Sequence, residues 1–377
     1  CPHIERLGYT GDGQLCCEAA MMLLDSQKFY KKWLEDISDC QSIGNGHVQH
    51  TAPFMGGGGG PAGWGGAIAV VPYEMYKIYG DKETFRRYLP KILRYFDYLD
   101  SRSSGGLVCR EEEGGWCLGD WCPPEQITIC EPFVNTALYV KQMMMTKEAS
   151  EAIGESETAA MLEKRIEEKK QAILNAYYSP QTGSFIGDAQ GANSFAIDIG
   201  LGGERAFNNT KKKYDAADAF DTGIFGTDIL TRVLFERGCA DTAFHLLTST
   251  GKGSFYNMKK QGATTIWENW DGERSHSHPM FGAVTRYLFS FILGITQEKN
   301  SAGYEKIVIA PQIPDGLNRA SGHITTVRGE IAVSFIRTER EMDFYVTVPQ
   351  KSWFTYGSDC EYELWEGENH IHIDFEE

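Results

Sequence analysis

Apolar residues recur every three to four positions through most of the first 295 residues. Residues 14–39 set Leu15, Ala19, Met22, Leu23, Phe29, Trp33, Leu34 and Ile37 near that spacing, with polar residues between them, which predicts one long amphipathic helix. The same pattern returns at 66–79, 82–100, 131–152, 155–177, 189–199, 205–217, 225–238, 239–249 and 280–294, giving ten helical segments. Pro72 and Pro90 fall inside two of them and mark a first turn or a kink. Gly80-Asp81 and Gly238 with Asp241 read as a stop and a restart, so the predicted repeating unit is a helical hairpin. Loops within pairs are short, whereas those between pairs, 42–65, 104–130, 178–188 and 251–279, are long and rich in Gly, Trp and acids. Long structured loops of this kind usually carry function.

After Gly294 the period changes to two. KIVIAPQIP, GHITTVRG, EIAVSFIRT, EMDFYVTVP and HIHIDF alternate and are rich in β-branched residues, so residues 296–377 are expected to form an antiparallel β-sandwich domain behind a helical domain spanning 1–295. Only a short polar turn, QEKNSAG, separates the two parts, which are therefore expected to pack together.

Composition narrows the function. No apolar run approaches the roughly 20 residues of a membrane span. The 36 basic and 52 acidic residues leave a formal charge of -16, against the basic stripe that nucleic-acid binding requires. With 8 Trp, 18 Tyr and 20 Phe beside many carboxylates, the chain suits a site that stacks sugar rings and accepts hydroxyl protons. The ten cysteines contain no CxxC pair and no disulfide-like spacing, which favours free thiols and points toward a cytoplasmic setting. The chain opens at Cys1 without an initiator Met or a signal sequence, as a processed chain or a fragment would, so its targeting is not legible.

Four stretches carry candidate chemistry. CPHIERLGYTGDGQ (1–14) places Glu5, Arg6 and Asp12 in a Gly-punctuated turn before a helix, with a helix N-cap at Asp12 as the alternative. GATTIWENWDG (262–272) sets Glu268 between Trp267 and Trp270, where a carboxylate can be partly desolvated; an exposed strand edge is the alternative. GGWCLGDW (114–121) arranges Trp116 and Trp121 around Asp120, either as a sugar platform or as a buried support for the loop. In residues 44–64 the run Gly56 to Gly60 lacks the GK[ST] ending of a phosphate loop, and nucleotide binding is rejected. His47 with His50, and His276 with His278, match no zincin pattern; hydrogen bonding is the expected role, with no metal or cofactor.

Taken together, these stretches resemble bacterial α-L-rhamnosidases of glycoside hydrolase family 78. CPHIERLGYTGDGQ is similar to the signature that opens that family's catalytic region, GDW, GATTIWENWDG and HPMFG fall in the family order, and GYEKIVIAPQIP and FYVTVP resemble its closing β-domain. The resemblance spans essentially the whole chain. It implies an (α/α)6 barrel of twelve helices followed by a β-sandwich, with the helix pair beyond the ten segments lying ahead of Cys1. It also implies release of terminal α-L-rhamnose with inversion, Glu5 as general acid and Glu268 as general base. Arg6 and Asp12 match sugar-binding positions, and Trp64, Trp116, Asp120, Trp121, Trp270 and His278 would line the pocket. The family's Asp immediately before the Cys falls outside this chain. For its role as an acid, Glu5 is expected to carry a raised pKa, with Arg6 turned away from it. Fold alone does not fix the glycone, so another six-hairpin glycosidase, or a noncatalytic carbohydrate-binding relic, are the competing readings.

Overall fold

The computed structural model describes residues 1, 4–112, 115–357 and 360–375. Its helices alternate between two environments. Those buried on all sides come first in each pair: α1 (Thr10–Leu23), α3 (Ala67–Tyr79), α5 (Glu131–Ile153), α7 (Ala192–Asp198) and α9 (Ile224–Glu236). In α9, for example, every residue from Ile224 to Thr231 is buried. Their partners α2 (Gln27–Asp39), α4 (Lys82–Ser101), α6 (Ser156–Tyr177), α8 (Gly203–Asp215) and α10 (Ala240–Thr248) bury a single stripe. In α2 that stripe is Tyr30, Trp33, Leu34 and Ile37, the spacing of a helix with one face to the core and one to water.

A helical run from Met280 to Ile292 completes the set, passing from a 3-10 turn (Met280–Val284) through one α turn (Thr285–Tyr287) into a π turn (Leu288–Ile292). It packs between α1 and α9, so the six inner elements close into a ring. Among the described residues the ring of inner elements is thus complete, with five outer partners. The predicted single helix over 14–39 is also corrected. It breaks at Leu24–Ser26, where the Leu24 amide caps Ala20 and the chain reverses into α2. Pro90 sits on the exposed side of α4, where the carbonyl it frees can reach water, and α4 continues through it.

Side chains from all six inner elements line one cavity of about 90 Å³. Its walls are charged. Arg286 reaches Glu18 at 2.8 Å and Asp228 at 2.7 Å, while Asp198 holds Arg232 at 2.7 Å and Lys141 at 2.8 Å. Glu74 of α3 joins them; burial and the charge of Glu18 push its carboxyl up to about 8.

Two small ribbons, β1 (Ser103–Ser104) with β2 (Leu107–Val108) and β3 (Tyr178–Ser179) with β4 (Ser184–Phe185), decorate the inter-hairpin loops. The C-terminal strands are β5 (Ile295–Gln297), β6 (Ile307–Ile309), β7 (Arg319–Thr326), β8 (Gly329–Arg337), β9 (Glu341–Val348), β10 (Ser352–Tyr356), β11 (Cys360–Leu364) and β12 (Gly367–Asp374). They form two four-stranded sheets, ordered β11-β10-β6-β5 and β12-β9-β8-β7, antiparallel throughout except for β10 against β6. Met342, Phe344, Val346 and Val348 alternate inward along β9, and Phe344 meets Phe354 of the facing sheet at 4.9 Å. The junction is pinned to the ring by Lys77 of α3, whose ammonium donates to Glu148 and to the carbonyls of Lys299 and Ser301. No disulfide joins any of the ten cysteines. No helix of the described residues is long and apolar enough to cross a membrane.

Candidate active site

The long inter-hairpin loops and the start of α1 enclose a cavity of about 610 Å³. Of the residues singled out from sequence, Glu5, Asp12, Trp64, Trp116, Trp121, Glu268 and His278 line it. Glu5 and Glu268 arrive from opposite ends of the helical ring, which the contact of the closing run with α1 makes adjacent.

The loop that carries Glu268 folds on itself before entering the closing run. Glu268 N donates to Ser275 O at 2.8 Å, Ser275 N donates to Glu268 Oε2 at 3.3 Å, and His278 N donates to Ile266 O at 2.8 Å. These bonds hold the Glu268 carboxylate, 8% exposed, over the cavity floor. Arg274 stands 3.6 Å from it and lays its guanidinium against Trp121 at 5.1 Å.

His278 connects the two ends. Its Nε2 lies 2.5 Å from Asp12 Oδ1 and its Nδ1 3.6 Å from Glu268 Oε2. A carboxylate at Asp12 can only accept, so Nε2 donates to it, and Nδ1, which has no hydrogen-bond partner among the described residues, faces Glu268. A ligand atom of Glu5 comes within 4.8 Å of one on His278. Through the imidazole, the two carboxylates are therefore no more than roughly 11 Å apart, a bound that includes the roughly 6.5–9.5 Å window of an inverting pair. Asp12 is not an N-cap: that position belongs to Tyr9, and Asp12 sits in the first turn with its carboxylate on His278.

The protonation of Glu5 differs from expectation. Burial pushes its carboxyl up, but the Cys1 ammonium at 2.6 Å, a backbone hydrogen bond and the charge of His278 outweigh it, and the net shift is downward. The opposing cation is the Cys1 ammonium rather than Arg6. Arg6 is exposed in a left-handed turn with φ 55° and does not line the cavity.

Two further assignments change. Asp120 is 1% exposed and faces away from the cavity, accepting from Gly223 N, Phe225 N and Gly226 N at 2.7, 2.9 and 3.0 Å. It thus satisfies the unpaired amides that open α9. Trp270 is a core residue, 4.3 Å from Phe281 and stacked on Phe220 at 6.0 Å. The run of glycines has a steric purpose. A Cβ on Gly59 would stand 2.5 Å from the Trp64 indole, and one on Gly58 2.6 Å from that of Trp116.

The sequence reading did not single out Tyr9, Leu118, Glu273, Arg274 or Met280, which also line the cavity. Tyr9 was inside a recognised motif. Burial and then the charges of Glu5, Asp12 and Glu268 raise its hydroxyl, so three carboxylates surround it.

Comparison with known proteins gives a consistent answer. Residues 1–292 match the family model described as the bacterial alpha-L-rhamnosidase 6 hairpin glycosidase domain, and 294–355 match that of the bacterial alpha-L-rhamnosidase C-terminal domain. The chain is 26% identical to an alpha-L-rhamnosidase of an Alteromonas species over 92% of its length, and 29% identical to one of Streptomyces avermitilis over 87%. It covers 40% and 32% of those proteins, so it spans two fifths or less of their length. A crystal structure of Streptomyces avermitilis alpha-L-rhamnosidase complexed with L-rhamnose superposes with a TM-score of 0.87 at 25% identity, covering 98% of this chain and 38% of that one.

Proposed function

Since the chain belongs to the bacterial α-L-rhamnosidase six-hairpin glycosidase family, we propose that it hydrolyses terminal α-L-rhamnosides with inversion at the anomeric carbon, Glu5 acting as general acid and Glu268 as general base. The observation that carries this reading is the presence of both carboxylates in one indole-walled cavity, bridged by His278. In the proposed reaction the sugar lies against Trp64, Trp116 and Trp121. Water sits between Glu268 Oε2 and the anomeric carbon and gives one proton to Glu268, which His278 and Arg274 hold in place. Glu5 protonates the departing glycosidic oxygen from the opposite side. Apolar walls suit the methyl group of a 6-deoxy sugar, which needs no hydroxyl partner.

The acid role requires Glu5 to hold a proton. In a chain with residues ahead of Cys1, the ammonium becomes a neutral amide, and burial, the largest influence on Glu5, loses its main opponent. The proposal is tested with aryl and alkyl rhamnosides. Glu268→Gln should leave the fold intact and lower kcat by several orders of magnitude on both, because an amide cannot accept the water's proton. Glu5→Gln should cripple poor leaving groups far more than phenolates, which depart with little protonation. Equal losses on both substrates for Glu5→Gln, or near-normal turnover for Glu268→Gln, would remove those roles.

A further inference from the structure

A second cluster of reactive side chains lies outside the catalytic cavity. His47 and His50, 6% and 5% exposed, come from the loop between α2 and α3, and Glu111, with its side chain 4% exposed, comes from the loop between α4 and α5. One ligand atom from each lies within 4.8 Å of the others. Glu111 Oε2 is 3.2 Å from His50 Nε2, and Glu111 Oε1 is 3.7 Å from His47 Nε2. Even so, neither His47 Nε2 nor Glu111 Oε2 makes an aligned hydrogen bond, although both atoms are buried. Native interiors rarely leave two such atoms facing each other unsatisfied.

The geometry points to a binding site for one zinc-class divalent cation held by His47, His50 and Glu111. Two imidazoles and one carboxylate are the donors such an ion prefers, whereas calcium and magnesium take oxygen. Tetrahedral zinc bonds of about 2.0–2.2 Å place ligand atoms about 3.3–3.6 Å apart, between the two N···O separations found here. Tyr98 supplies the outer support, its hydroxyl donating to Glu111 Oε1 at 3.2 Å and its ring lying 5.0 Å from His47.

None of the three ligands lines the catalytic cavity, so the ion does not touch substrate. It ties together the loop bearing Gly58 and Trp64 and the loop bearing Trp116. The first of these is already fastened to the start of α1, because Thr10 N donates to His50 O at 2.9 Å. The cation is therefore a brace for the sugar-stacking walls.

The test uses the whole chain, stripped with a chelator, dialysed and titrated with zinc chloride. One equivalent should bind, and thermal unfolding should rise by about 3 °C at zinc roughly 100-fold above its dissociation constant. His47→Ala and Glu111→Gln should abolish both effects. His372→Ala should keep them; it removes the exposed imidazole beside Asp343 and Asp374, the alternative surface site. Cobalt loading of the unmutated chain gives a second readout if the variants do not fold, since a tetrahedral nitrogen and oxygen site colours the protein with visible d–d bands. Absence of both binding and colour, or loss of binding in His372→Ala but not in His47→Ala, would overturn the assignment.

Discussion

Asp120 shows how one carboxylate can be read two ways. Flanked by Trp116 and Trp121 in a loop, it has the local surroundings of a sugar ligand. Its three partners lie over one hundred positions later, at Gly223, Phe225 and Gly226, and nothing in the local sequence announces them. The same limit hid the third member of the histidine cluster: His47 and His50 are visible as a spaced pair, but Glu111 reaches them only through the fold. Glu5, Asp12, Glu268 and His278 were legible because each sits in a stretch that resembles a family motif, and their shared cavity then follows from ring closure. Asp120→Ala is expected to strand three buried amides at the start of α9 and to lower stability by about 1–3 kcal/mol. A thermal melt of purified Asp120→Ala checks this, and an unchanged midpoint would mean that solvent replaces the carboxylate without cost.

Among the elements, the paired helices were legible wherever a glycine or a strong period marked their ends, as at Gly80 and Gly154, which both end helices in left-handed conformation. The turn at Leu24–Ser26 has no such mark, and two leucines ran the pattern across it. The glycine run is an element with a divided task. Gly59→Ala pushes a Cβ into the buried Trp64 and should cost about 1–3 kcal/mol through overpacking. Gly58→Ala meets Trp116, which is 55% exposed and can swing away. It should raise KM for rhamnosides while leaving the melting midpoint nearly unchanged. Equal effects of the two substitutions on stability would contradict this division.

For the molecule as a whole, the charged cavity inside the ring sets a pH dependence. Lys141, Arg232 and Arg286 face Glu18, Asp198 and Asp228, three cations against three anions, so an ionised Glu74 would be one anion in excess. Its carboxyl, raised from 4.5 to about 8, keeps a proton that the unfolded chain gives up. The folded state thus binds more protons between those values, and stability should fall as pH rises from about 4.5 to about 8. Glu74→Gln carries no charge at any pH. Its advantage over the unmutated chain should be small at pH values below that window and grow through it, as melts across the range would show. A difference independent of pH would place the titration elsewhere.

Closure of the ring by residues 280–292 also fixes when the cavity shared by Glu5 and Glu268 can form. Glu5 lies ahead of the first inner helix, whereas its partner's loop is anchored by the last inner element. At roughly 5–20 residues per second, Glu5 waits on the order of 15–60 s before that element is synthesised. On the proposed mechanism, a chain stopped before that point has its acid without its base. On the proposed mechanism, hydrolysis therefore reports that synthesis has passed the closing helical run.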